Sequence, residues 1–301
     1  MDRPDISAVP RRGVRSTATK VSDWVIAIIC FFFILICLLP IVNIVARSLS
    51  SPNALVNNRV SFWPVEFTLD SYAYVFRDAA FSRSLVFTAV LTLVCAAFSM
   101  VMTILCAYPL TYDNLKGSKV INGLIILTMY FSAGTIPNYI LMKDLGLINN
   151  PLVLVLPNCL SVFNMIILRS FFWSIPESLR ESAELDGANP FTVLIRIYLP
   201  LSTSVLATLT LFYAVGRWNG FSDALMYMTD PKYAPIQLKL WQVINNVSSI
   251  ETASQEGFTS PSAGEGLKAA SVMFATLPIL ILYPWLQRYF IAGVTIGAVK
   301  G

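Results

Sequence analysis

The chain contains no histidine among its 301 residues, and charged residues of either sign are few. The absence of histidine excludes the acid–base catalysis and metal ligation that this side chain ordinarily provides. Charged residues make up 13% of the chain and hydrophobic residues 56%, a balance too apolar for an ordinary soluble domain. The net charge of +4 is small for this length, and it indicates neither a nucleic-acid partner nor an acidic substrate.

Two further absences concern the source of energy for any transport. No Asp or Glu lies well inside an apolar run, although proton- and sodium-coupled carriers keep such groups for use in their mechanism. The chain also lacks the Gly-x-x-x-x-Gly-Lys-Ser/Thr loop that cradles nucleotide phosphates. Uphill transport by this chain would therefore need energy from another protein.

The cysteines show no spacing typical of a metal site or a disulfide framework. All of them lie inside apolar runs, at Cys30, Cys37, Cys95, Cys106 and Cys159. We expect them to be inert packing residues, and we expect no metal site in this chain.

Six apolar runs account for most of the hydrophobic content. Each approaches the length that a helix needs to cross about 30 Å of hydrocarbon. The runs are Trp24–Val45, Leu85–Leu110, Val120–Met142, Leu152–Phe172, Leu201–Val215 and Lys268–Ile291. The sequence therefore predicts an all-α integral membrane protein with six transmembrane helices.

Two of these runs leave alternatives open. Trp24–Val45 could be a secretory signal peptide, but it is long and no small-x-small cleavage site follows, so we favour an uncleaved anchor. Gly134 and Pro137 interrupt the third run, either as a simple kink or as a break that lines a pathway. Broken backbone is tolerated at membrane depth only where protein or a water-lined cavity satisfies it.

The distribution of basic residues predicts the orientation in the membrane. The N-terminal tail is polar and arginine-rich, and the positive-inside rule places such a tail in the cytoplasm. With six spans, both termini and the polar segment 174–200 would be cytoplasmic in a multi-pass membrane protein. The domain boundaries that follow are 1–23 for the tail, 24–292 for the membrane domain, 217–268 for an outer segment within it, and 293–301 for the C-terminal tail.

The segment 174–200 is a polar island between the fourth and fifth apolar runs. Ser174 can cap a first helix, and Gly187 can adopt the left-handed conformation that ends it. Asn189 can then cap a second helix that has proline at its first position. The pattern predicts a helix, a sharp turn and a second helix, although spacing alone is equally compatible with a polar surface loop.

The residues of this segment resemble the EAA loop of binding-protein-dependent ABC importer permeases. The family pattern is Glu-Ala-Ala, two residues, Asp-Gly-Ala and, after eight more residues, Ile-x-Leu-Pro. This sequence reads Glu181-Ser182-Ala183, Asp186-Gly187-Ala188 and Ile197-Tyr198-Leu199-Pro200. The spacing matches throughout, while Ser182 replaces an alanine and Leu194 stands where the family usually has Phe.

The resemblance covers nearly the whole chain and implies the type I ABC importer permease fold. It implies a location in the bacterial plasma membrane, and it implies that this loop is a cytoplasmic coupling helix that docks on an ATPase. The coupling residues by this resemblance are Glu181, Ser182, Ala183, Asp186, Gly187, Ala188 and Pro200. A second homologous permease chain, two ABC ATPase subunits that bind ATP and Mg, and an extracellular solute-binding protein would complete the importer. The chain would be a transport subunit without a cofactor of its own, not an enzyme.

The resemblance also gives the outer segments an expected role. Residues 56–77 and 220–268 are long and polar, and we expect them to face the solute-binding protein with exposed aromatic residues. These residues are Trp63, Tyr72, Tyr233 and Trp241. Gly257–Gly266 is rich in Gly, Ser and Pro, which predicts a mobile tip.

Within the family, the chain looks like the carbohydrate (maltose-type) permeases, and among them the oligosaccharide or polysaccharide branch. Arg217-Trp218-Asn219 and the stretch Pro231–Trp241 carry this likeness. Sugars are held by amides, hydroxyls and aromatic faces, so the candidate pathway residues are Asn158, Ser161, Asn164, Tyr213 and Trp218. Hydrogen bonding between helices is the alternative role for such residues. The alternative functions are import of a peptide or polyamine by the same fold, and a membrane subunit that does not transport.

Overall fold

The structure, a computed structural model, describes residues 17–112, 114–255 and 264–298. These residues are mostly helical and include no strand. We number the α-helices in chain order and treat Pro190–Leu201 as one helix that contains a π turn at Leu194–Tyr198. They are α1 Thr17–Ser48, α2 Pro52–Val56, α3 Asp70–Arg77, α4 Ala79–Ala107, α5 Ser118–Tyr130, α6 Thr135–Asp144, α7 Val162–Trp173, α8 Glu177–Leu185, α9 Pro190–Leu201, α10 Thr203–Trp218, α11 Ser222–Tyr227, α12 Ile236–Gln255 and α13 Gly264–Ala298.

Within the described ranges, three helical stretches are long and apolar enough to cross a membrane: Ser22–Ser48, Ala79–Thr111 and Gly264–Ile281. Two further candidates are bent pairs, α5 with α6 and α9 with α10, and counting each pair as one span raises the number to five. The helix α7 is apolar but has only 12 residues. The all-helical membrane architecture is confirmed, whereas the count of six spans stays a prediction.

The third apolar run is broken, and the break is much larger than a simple kink. The helices α5 and α6 meet at 111° across residues 131–134. Gly134 has a φ of +89° at the start of α6, a conformation that glycine adopts without strain. Pro137 lies in the first turn of α6, where its missing N–H leaves no helical hydrogen bond unmade. Glycine therefore sets the break, and proline only follows it.

The fourth apolar run does not form one helix, which corrects the expectation of a regular span over Leu152–Phe172. A 3₁₀ turn at Pro151–Leu154 is followed by irregular backbone, and α7 begins only at Val162. Pro157 interrupts the run, and Ser161 caps α7 because its Oγ accepts a hydrogen bond from the Asn164 N–H at 3.3 Å. Polar residues inside the apolar run thus place a non-helical stretch beside a cavity described below.

The outer segment is largely helical, not a long polar loop. It contains α11 and α12, and the start of α12 is buried against α4, where the Ile236 N–H donates to Thr88 Oγ1 at 2.8 Å. Trp63 and Trp241 are exposed as expected, whereas Tyr72 and Tyr233 are half-buried. For Gly257–Gly266, residues 257–263 lie outside the described residues. Its last three residues form the first turn of α13, with Gly266 buried, so the mobile-tip prediction is wrong for them.

The described residues form several buried clusters, and two of these clusters lie at the two ends of α4. At one end, aromatic and aliphatic residues of α4, α7 and α9 pack together around Tyr108, Phe172 and Tyr198. At the other end, α4 packs on the outer helices and α13 through residues such as Phe81 and Ile236. By contrast, α1 exposes its apolar side chains from Trp24 to Val42, which suits contact with lipid. The core holds the polar loop at one end and the outer segment at the other.

Candidate functional sites: the coupling loop and a membrane cavity

The polar segment forms the predicted helix, turn and second helix. Gly187 has a φ of +83°, the Ala188 N–H donates to the Ala183 carbonyl at 2.9 Å, and the Gly187 N–H donates to the Glu184 carbonyl at 3.0 Å. These two bonds are the Schellman motif, which satisfies the last carbonyls of α8. Asn189 caps α9 because its Oδ1 accepts from the Thr192 N–H at 2.9 Å. The turn and the second cap are therefore confirmed.

The first cap is not Ser174, which corrects the sequence prediction. The residue before α8 is Pro176, which makes no side-chain hydrogen bond. The Ser174 hydroxyl instead donates to the Phe171 carbonyl at 2.7 Å, because the chain is still turning off the end of α7 at this point. Since Pro176 has no N–H, one of the unpaired donors at the start of α8 is simply missing.

The structure brings four of the seven coupling candidates into one groove. Its volume is about 570 Å³, and its lining residues are Ala183, Asp186, Gly187, Ala188, Asn189, Thr192, Val193, Arg196 and Ile197. Glu181 and Ser182 are exposed and do not line this groove. Pro200 lies away from the groove, in the last turn of α9, just after the π turn and before the 85° bend into α10. Its missing N–H accounts for the irregular hydrogen bonding there, so its place is in shaping the bend.

Sequence reasoning missed the residue that fastens α8 to the membrane helices. The Arg180 guanidinium lies 4.7 Å from the centre of the Tyr112 ring and forms ion pairs with Glu177 and Glu184. Only 14% of its side chain is exposed. Burial alone would lower the pKa of Arg180, but the nearby acids, led by Glu177, raise it. Glu177 and Glu184 lie three and four residues from Arg180, so these ion pairs could have been predicted from the sequence. The contact between Arg180 and the distant Tyr112 ring could not.

Tyr112 belongs to an aromatic cluster that continues toward α9. Its hydroxyl is 2.7 Å from the Tyr108 hydroxyl, which donates to the Pro190 carbonyl at 2.9 Å. The Tyr108 ring also packs edge-on against Tyr198 at 5.2 Å between ring centres. Arg180 therefore connects α8, which has no buried residue of its own, to both α4 and α9.

The second site is a cavity of about 960 Å³ beside the irregular stretch before α7. It is lined by four of the five pathway candidates, Asn158, Ser161, Asn164 and Tyr213. Further lining residues are Cys95, Ser99, Leu154, Val155, Leu160, Phe163, Phe212, Val215, Gly216, Arg217, Asn219, Gly220, Phe221, Ser222 and Asp223. Amides, hydroxyls and aromatic rings thus face one space.

The four candidates in this wall differ in their hydrogen bonding. The Tyr213 hydroxyl accepts from the Ser161 N–H at 3.1 Å and lies 2.6 Å from Thr103 Oγ1, so it already joins two elements. Asn164 is only 5% exposed and Asn158 is exposed, and for neither side-chain amide is a hydrogen-bond partner found among the described residues. Asn158 and Asn164 are therefore the better placed pair to bind a solute.

Trp218 does not line this cavity, so its place in the pathway stays a prediction. Its indole is buried among the residues around Phe81 and donates through Nε1 to the Ala275 carbonyl at 3.2 Å. The neighbouring residue Arg217 points into the cavity wall instead, and sequence reasoning had used it only as a mark of family likeness. Adjacent residues on a helix lie on different faces, so the choice between them required the packing of α10.

Replacing Trp218 with Phe should therefore affect stability and not solute choice. Trp218→Phe removes the hydrogen bond to Ala275, which should lower the free energy of unfolding by about 1 kcal/mol. Thermal unfolding of the purified complex and uptake of two competing solutes are the measurements. A change in the preference between the solutes would place Trp218 in the pathway.

Among the described residues, no group of three or more Cys, Asp or Glu residues is placed to hold a metal ion.

Comparisons with known proteins show the family to which the chain belongs. Residues 15–296 match the family described as binding-protein-dependent transport system inner membrane component. The chain is 37% identical to the polygalacturonan/rhamnogalacturonan transport system permease protein YtcP of Bacillus subtilis (strain 168), over 94% of this chain and 99% of that protein. It is 40% identical to protein LplC of the same organism, over 88% of this chain and 90% of that protein.

Solved structures extend the comparison to the fold. A chain in the crystal structure of a bacterial ABC transporter involved in the import of the acidic polysaccharide alginate superposes with a TM-score of 0.83. The two chains are 32% identical, and the match covers 91% of this chain and 98% of the other. With the family match spanning nearly its whole length, the chain belongs to the binding-protein-dependent transport system inner membrane components and is a multi-pass permease of the ABC transporter type.

Proposed function

We propose that the chain is the transmembrane permease subunit of an ATP-driven importer that translocates an oligosaccharide or polysaccharide. The observation that carries the proposal is the coupling loop, a formed helix–turn–helix on which Leu185 is 89% exposed. A large apolar side chain that is so exposed, on a helix with no buried residue, is suited to contact with another protein. Glu181 lies on the exposed surface of the same helix, where a carboxylate can meet basic or N–H groups of an ATPase.

Surfaces that are exposed on this chain fit the other subunits of such an importer. Two ABC ATPase subunits would bind ATP and Mg, and this chain would hold no cofactor. A second homologous permease would pack beside it, and α5 and α6, which have no buried residues, offer apolar surface for that contact. An extracellular solute-binding protein would deliver the solute to the outer segment.

Three features support a carbohydrate as the solute. Relatives at 37% and 32% identity are named for polygalacturonan/rhamnogalacturonan and for alginate. The cavity offers amides, hydroxyls and aromatic rings, which are the groups that bind sugars. A polyamine would need a wall of net negative charge, whereas the acid in this wall, Asp223, is paired with Arg217. A subunit without transport function would need neither the cavity nor the formed coupling loop.

The mechanism would couple ATP-driven closure of the ATPase pair to the cavity. Movement of α8 would pass through Arg180 and the Tyr112 ring to α4, and through the turn at Gly187 to α9. Because α4 and α10 both line the cavity, moving them would change the side from which it is open.

The orientation can be tested with single cysteines in a chain whose native cysteines are replaced. We expect an impermeant maleimide to label Lys232→Cys in intact cells and to label Ser182→Cys only after the membrane is opened. The reason is the basic N-terminal tail, which favours a cytoplasmic coupling loop. Labelling of Ser182→Cys in intact cells would reverse the orientation and exclude the ATPase contact.

The docking surface can be tested with Leu185→Glu. A charge in place of the exposed apolar side chain should reduce recovery of the ATPase with the tagged permease by about tenfold, with membrane insertion unchanged. Leu225→Glu is a matched control, because Leu225 is also an exposed leucine, at 42%, on the outer helix α11. Equal recovery of the ATPase with Leu185→Glu and the wild type would contradict the proposal.

A further inference from the structure

An ion pair between Arg217 and Asp223 forms part of the cavity wall. Nη2 of Arg217 donates to Asp223 Oδ1 at 3.0 Å, and Nη1 donates both to Asp223 Oδ2 and to the Leu154 carbonyl at 3.0 Å. The Arg217 side chain is 7% exposed and the Asp223 side chain 20%. Because the two charges offset each other, this part of the wall is strongly polar without net charge.

Three groups in the same wall have hydrogen-bonding capacity that the described residues leave unused. The Arg217 Nε–H is buried and has no partner among the described residues. The side-chain amides of Asn164, which is 5% exposed, and Asn158, which is exposed, are likewise unpaired within those residues. Buried polar groups are nearly always hydrogen-bonded in native proteins, so the unpaired amide of the buried Asn164 in a cavity wall points to a polar ligand.

The Arg217 guanidinium occupies space that is open only because residue 220 is a glycine. A Cβ at Gly220 would lie 2.2 Å from Arg217 Nη2, so any side chain there would displace the guanidinium. The rings of Phe163 and Phe221 line the same cavity and offer apolar faces beside the polar groups. A cavity wall that combines polar groups with aromatic rings suits a sugar ring, which has hydroxyl groups at its edge and C–H groups on its face.

We propose that this wall is a saccharide subsite that binds ring hydroxyls through Asp223, Asn158 and Asn164. Arg217 balances the charge of Asp223 there, and the subsite does not select for a sugar carboxylate. The proposal rests on the carbohydrate function proposed above. A hydroxyl can accept from the amide of Asn158 or Asn164, and it can donate to the exposed part of Asp223. A carboxylate can only accept, and it would approach Asp223 against a like charge. Acidic saccharides would therefore bind here through their hydroxyls, as neutral ones do.

Equilibrium binding to the assembled membrane complex in nanodiscs, without the solute-binding protein, tests this subsite. The probes are trigalacturonate and its carboxyl-reduced counterpart, galactotriose, which differ in charge but share most hydroxyls. We expect the wild-type complex to bind both. Asp223→Asn leaves the Arg217 charge unbalanced and should shift the ratio of the two Kd values toward the acidic probe by about tenfold. Asn158→Asp adds a carboxylate at an exposed position and should shift the ratio by a similar factor toward the neutral probe.

A matched control separates this effect from a general change of charge. Asp78→Asn also removes a carboxylate from an ion pair, here with Lys239 at 3.4 Å, but it lies outside the cavity and should leave the ratio unchanged. If Asp223→Asn fails to assemble, Asn158→Asp alone decides the outcome. Unchanged ratios in the assembled variants, or no binding of either probe by the wild type, would overturn the subsite. Failure of the complex to import any saccharide with its binding protein present would instead overturn the proposed function.

Discussion

Gly187→Val is expected to reduce solute uptake by more than about tenfold while the chain still inserts and assembles. Gly187 has a φ of +83° in the turn between α8 and α9. A β-branched residue in this conformation costs about 1–2 kcal/mol, which the chain can relieve by abandoning the turn and redirecting α8. A Cβ at this position would meet no atom within 4 Å, so backbone strain and not collision is the cause.

Gly146→Val is the matched control for this prediction. Gly146 has a φ of +68° in the turn that follows α6, and a Cβ there would also meet no atom within 4 Å. It should impose a similar backbone cost at a place remote from the coupling loop and retain uptake. The measurements are uptake and ATP hydrolysis stimulated by the loaded binding protein, both in proteoliposomes. Normal stimulated hydrolysis and uptake in Gly187→Val would remove this turn from the mechanism.

Arg180→Ala is the second change with a large expected effect. We expect it to leave basal ATP hydrolysis and subunit assembly intact and to reduce binding-protein-stimulated hydrolysis and uptake by about tenfold or more. The substitution removes the cation that packs on the Tyr112 ring and the ion pairs with Glu177 and Glu184. A largely desolvated cation–π contact contributes about 2 kcal/mol, and a change of 1.4 kcal/mol shifts an equilibrium about tenfold.

Variants of Tyr112 show whether the ring itself transmits the movement. Tyr112→Ala removes the ring and should reproduce the effect of Arg180→Ala, whereas Tyr112→Phe keeps the ring and loses only the hydroxyl contact with Tyr108. Tyr112→Phe should therefore retain most of the stimulated hydrolysis. A loss of assembly in both alanine variants would indicate a purely structural contact, and full stimulation in both would exclude the contact from coupling.

The local structure of the coupling loop was predictable from the sequence because its determinants are neighbours along the chain. The cap at Asn189 bonds a backbone N–H three residues away, and the left-handed turn at Gly187 requires a residue without a Cβ. The prediction failed at Ser174 because the preceding helix α7 had already used that hydroxyl. How far α7 extends depends on its packing, which the residues of the loop do not encode.

The two interrupted apolar runs also show what could not be predicted from the sequence. Gly134 indicated an interruption of the third run, but the 111° angle between α5 and α6 could not be derived from the residues. Over the fourth run, length and hydropathy favoured one regular span, whereas the chain forms irregular backbone before α7. The Leu154 carbonyl, at the end of the 3₁₀ turn in that run, accepts a hydrogen bond from Arg217, a partner that is distant in sequence.

The sequence by itself determined that this chain is an all-helical membrane protein with a helix, a turn and a second helix in the polar segment 174–200, because hydropathy, charge and turn chemistry are local properties. It also indicated the polar groups from which a cavity wall could be built. Only the tertiary structure decided that Arg217 enters that wall while Trp218 packs against Ala275, and that Arg180 meets the ring of Tyr112. The physical reason is that successive residues of a helix point in different directions. Which of them meets a partner is set by the packing of elements that are far apart in the chain.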